Sequence, residues 1–494
     1  MNAGTGGLPS ASALLGSADQ LQSDLRKLLK NPNVDPFSRE VSNLRQQLRD
    51  TYEQIIFSDI DLALSKDVEA NVWKIAHYRF IEEFRKKVKT ISNNAKQRGG
   101  SSRALSQEER QQMRILTASF RSFLTEANGF YLSFIQKMTH RFDLERVERI
   151  VLQKLDVVFS TGARRGETIG PAMQTKALMV CHRALIFLGD LSRYREIHAD
   201  KKEKNWALAK SFYELALRLV PTNGNPFNQL AVIDTYEGDE LGAVECYFRS
   251  LVIQQPFPTA MENLALLFRK ARGKAEGGKE AEPARTDAYS DFVKEFIVLH
   301  SYVFGKDVSL DRFSSAKSAF LGKFMDLLKS QQFPPELLTR LFIINFGAAH
   351  LIHTAVAAAE KGQDDSSNEE GRLHGSVVQK VEDNNTPESG QKRRMVPQKA
   401  NARTKTSAKV LASRQASVPK IKEDLTLEQK KEIGKNLVLL SIDMACPVFT
   451  AVAELAQHNR IDGMDEGSAF AKMLVVVKII GRWLLERARE GQEE

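Results

Sequence analysis

The chain has 494 residues, 42% of them hydrophobic and 27% charged, with a formal net charge of +9; since single cores stop growing near about 250 to 300 residues, at least two cores are expected. The basic balance permits phosphate or acidic partners without requiring them. Three widely spaced cysteines, Cys181, Cys246 and Cys446, argue against a disulfide framework or structural zinc site and fit a reducing compartment, and the absence of a signal profile in Met1–Ser17 or an apolar run near the roughly 20 residues of a membrane span predicts a soluble intracellular protein with no membrane partner.

Residues 1–18 are rich in Gly, Ser and Ala and read as a mobile N-terminus, followed by a first helix from Ala18 to Lys30 that Asn31-Pro32 stops. After Pro36, Val41, Leu44, Leu48, Tyr52, Ile55, Ile56 and Ile60 recur at spacings of three and four, the mark of one buried helical face. A second long helix carries Val68, Val72, Ile75, Ala76, Phe80, Ile81 and Phe84 inward and Arg79, Glu82, Glu83, Lys86 and Lys87 outward, and ends in the polar stretch Ser92 to Ser102. A third holds Ile115, Leu116, Phe120, Phe123, Leu124, Phe130, Tyr131, Phe134 and Ile135, an aromatic density that belongs to a core. A short helix at Val147 to Leu155, a loop at Ser160 to Gly170 and a helix from Ala172 to Ile197 follow. No segment alternates as strands do, so the chain is predicted to be all-α.

A 34-residue period then appears. Ala209, Tyr213, Ala216 and Pro221 recur as Ala243, Tyr247, Ser250 and, one residue late, Pro256, and Leu230-Ala231 recurs as Leu264-Ala265. This is tetratricopeptide spacing, with small residues set against large ones where paired helices approach closely. Such repeats present a concave surface, which favours a binding protein over a catalyst. The first domain is therefore drawn at 19–271. After a Gly/Lys/Glu linker, helices are expected at Phe292 to Phe304, Phe313 to Leu328, Pro334 to Ala357, Leu425 to His458 with a kink at Pro447, and Phe470 to Arg487. These form a second domain, 287–358 with 425–490. Its insertion, 360–424, has the composition of disorder and is basic from 392 to 422, including Lys392, Arg393 and Arg394.

Catalytic signals are sparse. Asp59, Asp61, Asp190 and Asp239 sit in helical or capping contexts, the histidines are scattered, and there is no Gly-rich phosphate loop, so the chain is read as non-catalytic and without a metal or cofactor. Arg193-Tyr194-Arg195 is the sharper signal. On a helix at the mouth of a solenoid, two guanidinium forks and a phenol can clamp a phosphate; on spacing alone, an arginine paired with Asp190 or Glu196 on a solvated face explains the same residues. Lys74, Arg79 and Arg85 can complete a basic groove or form the wet side of their helix.

Several ordered motifs together carry a resemblance: Trp73 followed by Tyr78-Arg79-x-Ile81-Glu82-Glu83-Phe84-Arg85; Phe123-Leu124-x-Glu126-Ala127-x-Gly129-Phe130-Tyr131; Leu188-Gly189-Asp190-Leu191-Ser192-Arg193-Tyr194; Gly224-Asn225-Pro226-x-x-Gln229-Leu230-Ala231; and Tyr247-x-Arg249-Ser250-Leu251. In them the chain resembles the family of telomerase-associated ever-shorter-telomere proteins and the SMG adaptors of nonsense-mediated mRNA decay, strongly from about Asp24 to Ala271 and weakly to Trp483.

The resemblance implies a 14-3-3-like and tetratricopeptide domain that binds phosphoserine or phosphothreonine peptides of the up-frameshift RNA helicase, packed on a C-terminal α-helical hairpin domain. It places Arg193 and Tyr194 at the family's phosphate-binding Arg-Tyr position; Asn228, on the inner helix of the repeat, can hydrogen-bond the peptide backbone or serve in capping or packing instead. An animal member has a lysine five residues after the tryptophan; here that position is Tyr78, and Arg79, with Lys74 or Arg85, is the expected replacement. The family also implies pairing with a sister SMG adaptor, recruitment of deadenylase or decapping factors, and residence in cytoplasm and nucleus. A second reading is a telomerase-associated subunit in which the basic run containing Lys392, Arg393 and Arg394 contacts telomerase RNA or telomeric DNA. The nuclease domain of RNA-cutting relatives and the low-complexity tails of others have no counterpart in these residues.

Overall fold

The computed structural model describes residues 9–31, 34–97, 105–155, 169–276, 288–304, 308–329, 334–369 and 425–458, and every regular element among them is helical, as the periodicities predict. The chain divides into two compact units, residues 1–233 and 234–494. The sequence-based limits placed both tetratricopeptide-spaced segments in the first domain, whereas the units meet inside a helix between them.

In the first unit, α1 (Ala11–Lys30) begins well before the expected Ala18. Ser10 caps it by accepting the Ala13 N–H, and Leu14, Ala18 and Leu25 are buried, so Ala11 to Ser17 forms about two ordered helical turns rather than part of a mobile tail. α1 packs on α2 (Arg39–Ser58), whose buried Val41, Leu48, Tyr52, Ile55 and Ile56 follow the predicted stripe. Then come α3 (Ile60–Ser65), capped by Asp59, and α4 (Val68–Asn71), which runs into a π-helical segment, Val72–Tyr78, and on into α5 (Arg79–Gln97). Helix α5 ends at Gln97, within the polar stretch Ser92 to Ser102 where the pattern places its end.

Helix α6 (Gln107–Phe142) starts at a capping box in which Ser106 and Glu109 exchange hydrogen bonds. Its aromatic face is core, with Phe120, Phe123, Tyr131 and Phe134 buried; Ile115, also expected inside, is 58% exposed. Phe120 stacks on Phe84 of α5 at a 3.8 Å centroid separation. A charged cluster lies beside these rings: Glu126 pairs with Arg45 and, at 2.7 Å, with Arg49, and the Arg45 guanidinium sits over Phe123. The chain continues through α7 (Glu145–Val147), a second π segment (Glu148–Leu152) and α8 (Pro171–Ile197), which packs on α6 and on α9 (Ala207–Leu219).

α10 (Asn225–Glu237) crosses the boundary. The repeat anchors are buried as their spacing requires, Ala209, Tyr213 and Ala216 on α9 and Ala243, Tyr247 and Ser250 on α11 (Glu240–Val252). Asp239 caps α11.

The second unit continues with α12 (Thr259–Glu276), α13 (Ala288–Ser301), α14 (Leu310–Lys329), α15 (Pro335–Glu369) and α16 (Leu427–His458). α15 runs past Glu360, where disorder was expected to begin, to Glu369. Its stretch Glu336–Glu360 has a mean hydropathy of 1.6 and is long and apolar enough to cross a membrane, contrary to the sequence reading that no run approaches this length. It is also the spine of the unit, packed between α11 and α16 with Leu338, Leu341, Ile344 and Ile352 fully buried. Pro447 lies within α16 as expected. Lys392, Arg393 and Arg394, and the helix expected at 470–487, lie outside the described residues.

Candidate phosphate-binding site

The site is assembled where α5 and α9 meet the C-terminal half of α8. Trp73 of the first π segment stacks on Phe187 of α8 at 4.6 Å, with planes 3° apart, and fixes the approach of the two helices. His77 donates from Nδ1 to the Val72 carbonyl at 3.0 Å, and the Tyr131 hydroxyl lies 3.2 Å from the same nitrogen. Burial, reinforced by Arg45, holds His77 neutral.

Gly189 of α8 admits the ring of Tyr213: a Cβ there would lie 2.3 Å from Tyr213 Cε1. The tyrosine thereby reaches across to donate its hydroxyl hydrogen to Asp190 Oδ1 at 2.7 Å. Arg193, one helical turn on, donates from Nη2 to the same Oδ1 at 2.7 Å, from Nε to the Tyr213 hydroxyl at 3.3 Å, and from Nη2 to Gln229 Oε1 of α10 at 3.5 Å. Burial alone would weaken the arginine's hold on its proton, but Tyr213, Tyr194 and Asp190 outweigh it and keep the guanidinium charged.

Tyr194 is buried, and two guanidinium groups approach its ring, Arg193 at 4.8 Å from the centroid and Arg85 of α5 at 4.7 Å. Arg85 is exposed and has no ion pair among the described residues. Nη1 of Arg193 and the Tyr194 hydroxyl likewise have no hydrogen-bond partner there, and neither is sealed from solvent. Three donor groups from two helices thus remain unspent on or beside the Tyr194 side chain. His198, against Phe84 and Phe120, is held neutral by burial and by Arg85 and Lys204, its pKa lowered to about 4.

The other residues named from sequence fall as follows. The ion pair of Arg193 is with Asp190 and is buried rather than solvated; Glu196 instead pairs with Lys201 at 2.7 Å. Arg79 is half-buried, its pKa lowered by burial, with Glu83 opposing and Arg26 adding to the fall. A π segment takes up one additional residue per turn, the kind of register change a shift from position 78 to 79 requires; the basic residue in contact with Tyr194, however, is Arg85. Lys74 is exposed and without a hydrogen bond or ion pair among the described residues. Asn228 is buried, and its neighbour Gln229 is the α10 side chain that reaches Arg193. Sequence reading missed Tyr213 and Gln229 as site residues, although Tyr213 was legible as a repeat anchor and Gln229 stood inside a quoted motif. Among the described residues no group of three or more His, Cys, Asp or Glu is placed to hold a metal ion.

Helices throughout the described residues, with tetratricopeptide spacing on α9 and α11, define the helical-repeat class. Two family models match it, Telomerase activating protein Est1 over residues 67–199 and Est1 DNA/RNA binding domain over residues 209–386. Zebrafish (Danio rerio) nonsense-mediated mRNA decay factor SMG7 is 29% identical over 311 residues, 63% of this chain and 24% of that protein. Arabidopsis thaliana SMG7 is 36% identical over 241 residues, 47% of this chain and 22% of that protein. The solved structure of the C. elegans SMG5-SMG7 complex aligns with 94% of this chain and 82% of its own, at 13% identity and a TM-score of 0.46. The chain belongs to the SMG7 and Est1 family, and the matched region spans about a quarter of the length of these curated relatives.

Proposed function

We propose that the chain is a non-catalytic adaptor of nonsense-mediated mRNA decay that binds phosphoserine or phosphothreonine peptides of the up-frameshift RNA helicase and links that helicase to decay factors. The observation that supports this most is that two guanidinium groups, Arg193 and Arg85, lie against the one Tyr194 ring, with Arg193 Nη1 and the Tyr194 hydroxyl unspent beside the charge-assisted Arg193–Asp190 anchor. A phosphate monoester brings three strong acceptor oxygens and close to two negative charges at pH 7. Charged hydrogen bonds of that kind are about twice as strong as neutral ones.

Within this reading Arg193, Tyr194 and Arg85 hold the phosphate, while Arg79 and Lys74 supply positive potential along the same helix. Gln229 and Asn228 flank the peptide on the α10 side. Pairing with a sister SMG adaptor and recruitment of deadenylase or decapping factors belong to the same proposal. The test is fluorescence anisotropy of a labelled Ser-Gln peptide from the helicase, phosphorylated and not. Saturable binding of the phosphorylated form alone supports the reading; equal binding of both forms contradicts it.

One observation favours a second reading, a telomerase-associated nucleic-acid binder: residues 209–386 match the Est1 DNA/RNA binding domain model. Under it, single-stranded telomeric DNA binds with an affinity that falls steeply as salt rises, and removing 392–422, which includes Lys392, Arg393 and Arg394, weakens it while Arg193→Glu does not.

A further inference from the structure

At about 100° per residue, Arg183, Phe187 and Tyr194 fall on one stripe of α8, within about 40° of one another. Their contacts agree: Tyr194 meets Arg85 of α5, Phe187 stacks on Trp73 of the first π segment, and Arg183 pairs with Glu69 of α4 at 2.8 Å. The face of α8 that carries Tyr194 therefore continues toward the start of the helix.

That continuation is aromatic. The Tyr78 ring lies 6.1 Å from Trp73, and its phenol is close enough to that of Tyr194 to act on it electrostatically. Trp73 stacks on Phe187 at 4.6 Å, Phe187 lies 5.5 Å from Tyr131, and Tyr131 lies 5.1 Å from Phe130. Tyr131 is buried, but Tyr78, Trp73, Phe187 and Phe130 are each only half-buried, packed on the edge of the core rather than inside it. Phe130 and Phe187 also wall a small cavity together with Val72, Phe134, Val180 and Ala184, and its two charged residues, Glu69 and Arg183, pair with each other. Partly exposed rings in a continuous run are the kind of surface at which partners bind.

The position of the run says what covers it. Tyr194 and Phe187 are seven residues apart, about 10 Å along the helix, and an extended peptide advances about 3.3 Å per residue, so it crosses that distance in about three residues. A peptide held by its phosphate beside Tyr194 and running along α8 brings its third or fourth residue from the phosphorylated one over Trp73 and Phe187. The apolar walls penalise an acidic or basic side chain there, and the cavity's own charges are already paired.

We propose that Trp73, Phe187 and Phe130 form a side-chain subsite for a bulky apolar residue three or four positions from the phosphorylated one, on one side of it only. This rests on the phosphopeptide reading and deepens it: the phosphate decides whether a peptide binds, and the aromatic run decides which phosphorylated sequences bind tightly. The subsite is one-sided because the run leaves Tyr194 toward only one end of α8.

The experiment uses the full chain and labelled Ser-Gln phosphopeptides with alanine at the flanking positions, into which a single leucine is placed three or four residues to either side of the phosphoserine. Affinities are read by anisotropy for wild type, Phe187→Ala and Phe130→Ala. With wild type, leucine on one side tightens binding by about tenfold over alanine, the worth of partly burying its three extra carbons, and leucine on the other side changes it by about twofold at most. In Phe187→Ala and Phe130→Ala the leucine-to-alanine ratio falls toward one, while phosphorylated peptides are still preferred to unphosphorylated ones. A merely structural role for these rings weakens all peptides alike and keeps the ratio at its wild-type value, which overturns the proposal; so does a wild-type ratio near one at every position, or an equal gain on both sides. If Phe187→Ala does not fold, Phe130→Ala decides by the same ratio. Failure of wild type to bind any of the phosphopeptides overturns the phosphopeptide reading together with this inference, whereas phosphopeptide binding that ignores the leucine overturns this inference alone.

Discussion

Arg193 is charged, buried and triply anchored, so its contribution depends on neighbours that a solvated surface arginine would not need. Arg85 is the opposite case, exposed and resting on the Tyr194 ring. Replacing it with alanine is expected to weaken phosphopeptide binding by about tenfold, the scale of one charged contact, while leaving the thermal midpoint within a degree or two; a calorimetric titration and a melting scan check both halves. Gly189→Ala is expected to do more damage to the fold. Its Cβ would overlap the Tyr213 ring, and overpacking of this kind costs roughly 1 to 3 kcal/mol, readable as a lower urea midpoint. The Arg-Tyr pair was legible because the two residues are adjacent. That Asp190 partners the arginine was half legible from its spacing of three. The burial of the pair was not, because it is made by Tyr213 on α9 and Gln229 on α10, side chains that spacing within α8 does not reveal.

At the scale of elements, the three- and four-residue spacings located the helices well, but their ends moved wherever a cap decided the matter. α1 begins at Ala11 because Ser10 caps it, a signal present in the sequence but masked by its Gly/Ser-rich surroundings. The π segment from Val72 to Tyr78 was not legible, since its residues fit an α-helical stripe; its Trp73 docks on Phe187 and His77 reaches the Val72 carbonyl. Ile115 sits near the start of the long α6 in the apolar pattern yet points to water. Ser106→Ala removes the α6 cap and one side of the reciprocal box, and should lower stability by about 1 kcal/mol in urea unfolding.

For the first unit as a whole, stability should depend on pH with opposing contributions. Burial lowers the His182 pKa to about 4, both ring nitrogens being without a partner. Between about pH 6.5 and pH 4 the unfolded chain takes up a proton there that the folded chain does not, so folding weakens as pH falls, by roughly 2 kcal/mol from pH 7 to pH 5 for this residue. His77 and His198 act in the same direction. Glu69, raised to about 7 by burial against the pull of Arg183 2.8 Å away, acts oppositely: its charged form is penalised when folded, so its contribution worsens as pH rises from about 4.5 to 7. Three histidines against one carboxyl give a net loss on acidification. Urea midpoints at pH 7 and pH 5 check it, and His182→Asn should flatten the difference.

On the proposed function, Arg193 and its neighbours bind a phosphorylated peptide. Calorimetry of one Ser-Gln peptide, phosphorylated and unphosphorylated, with wild type and with Arg193→Glu tests it most directly. Wild type is expected to bind only the phosphorylated peptide, and Arg193→Glu, folded as judged by circular dichroism, to lose roughly 2 to 5 kcal/mol of that binding. Binding that is indifferent to the phosphate, or that survives Arg193→Glu at full strength, would contradict it.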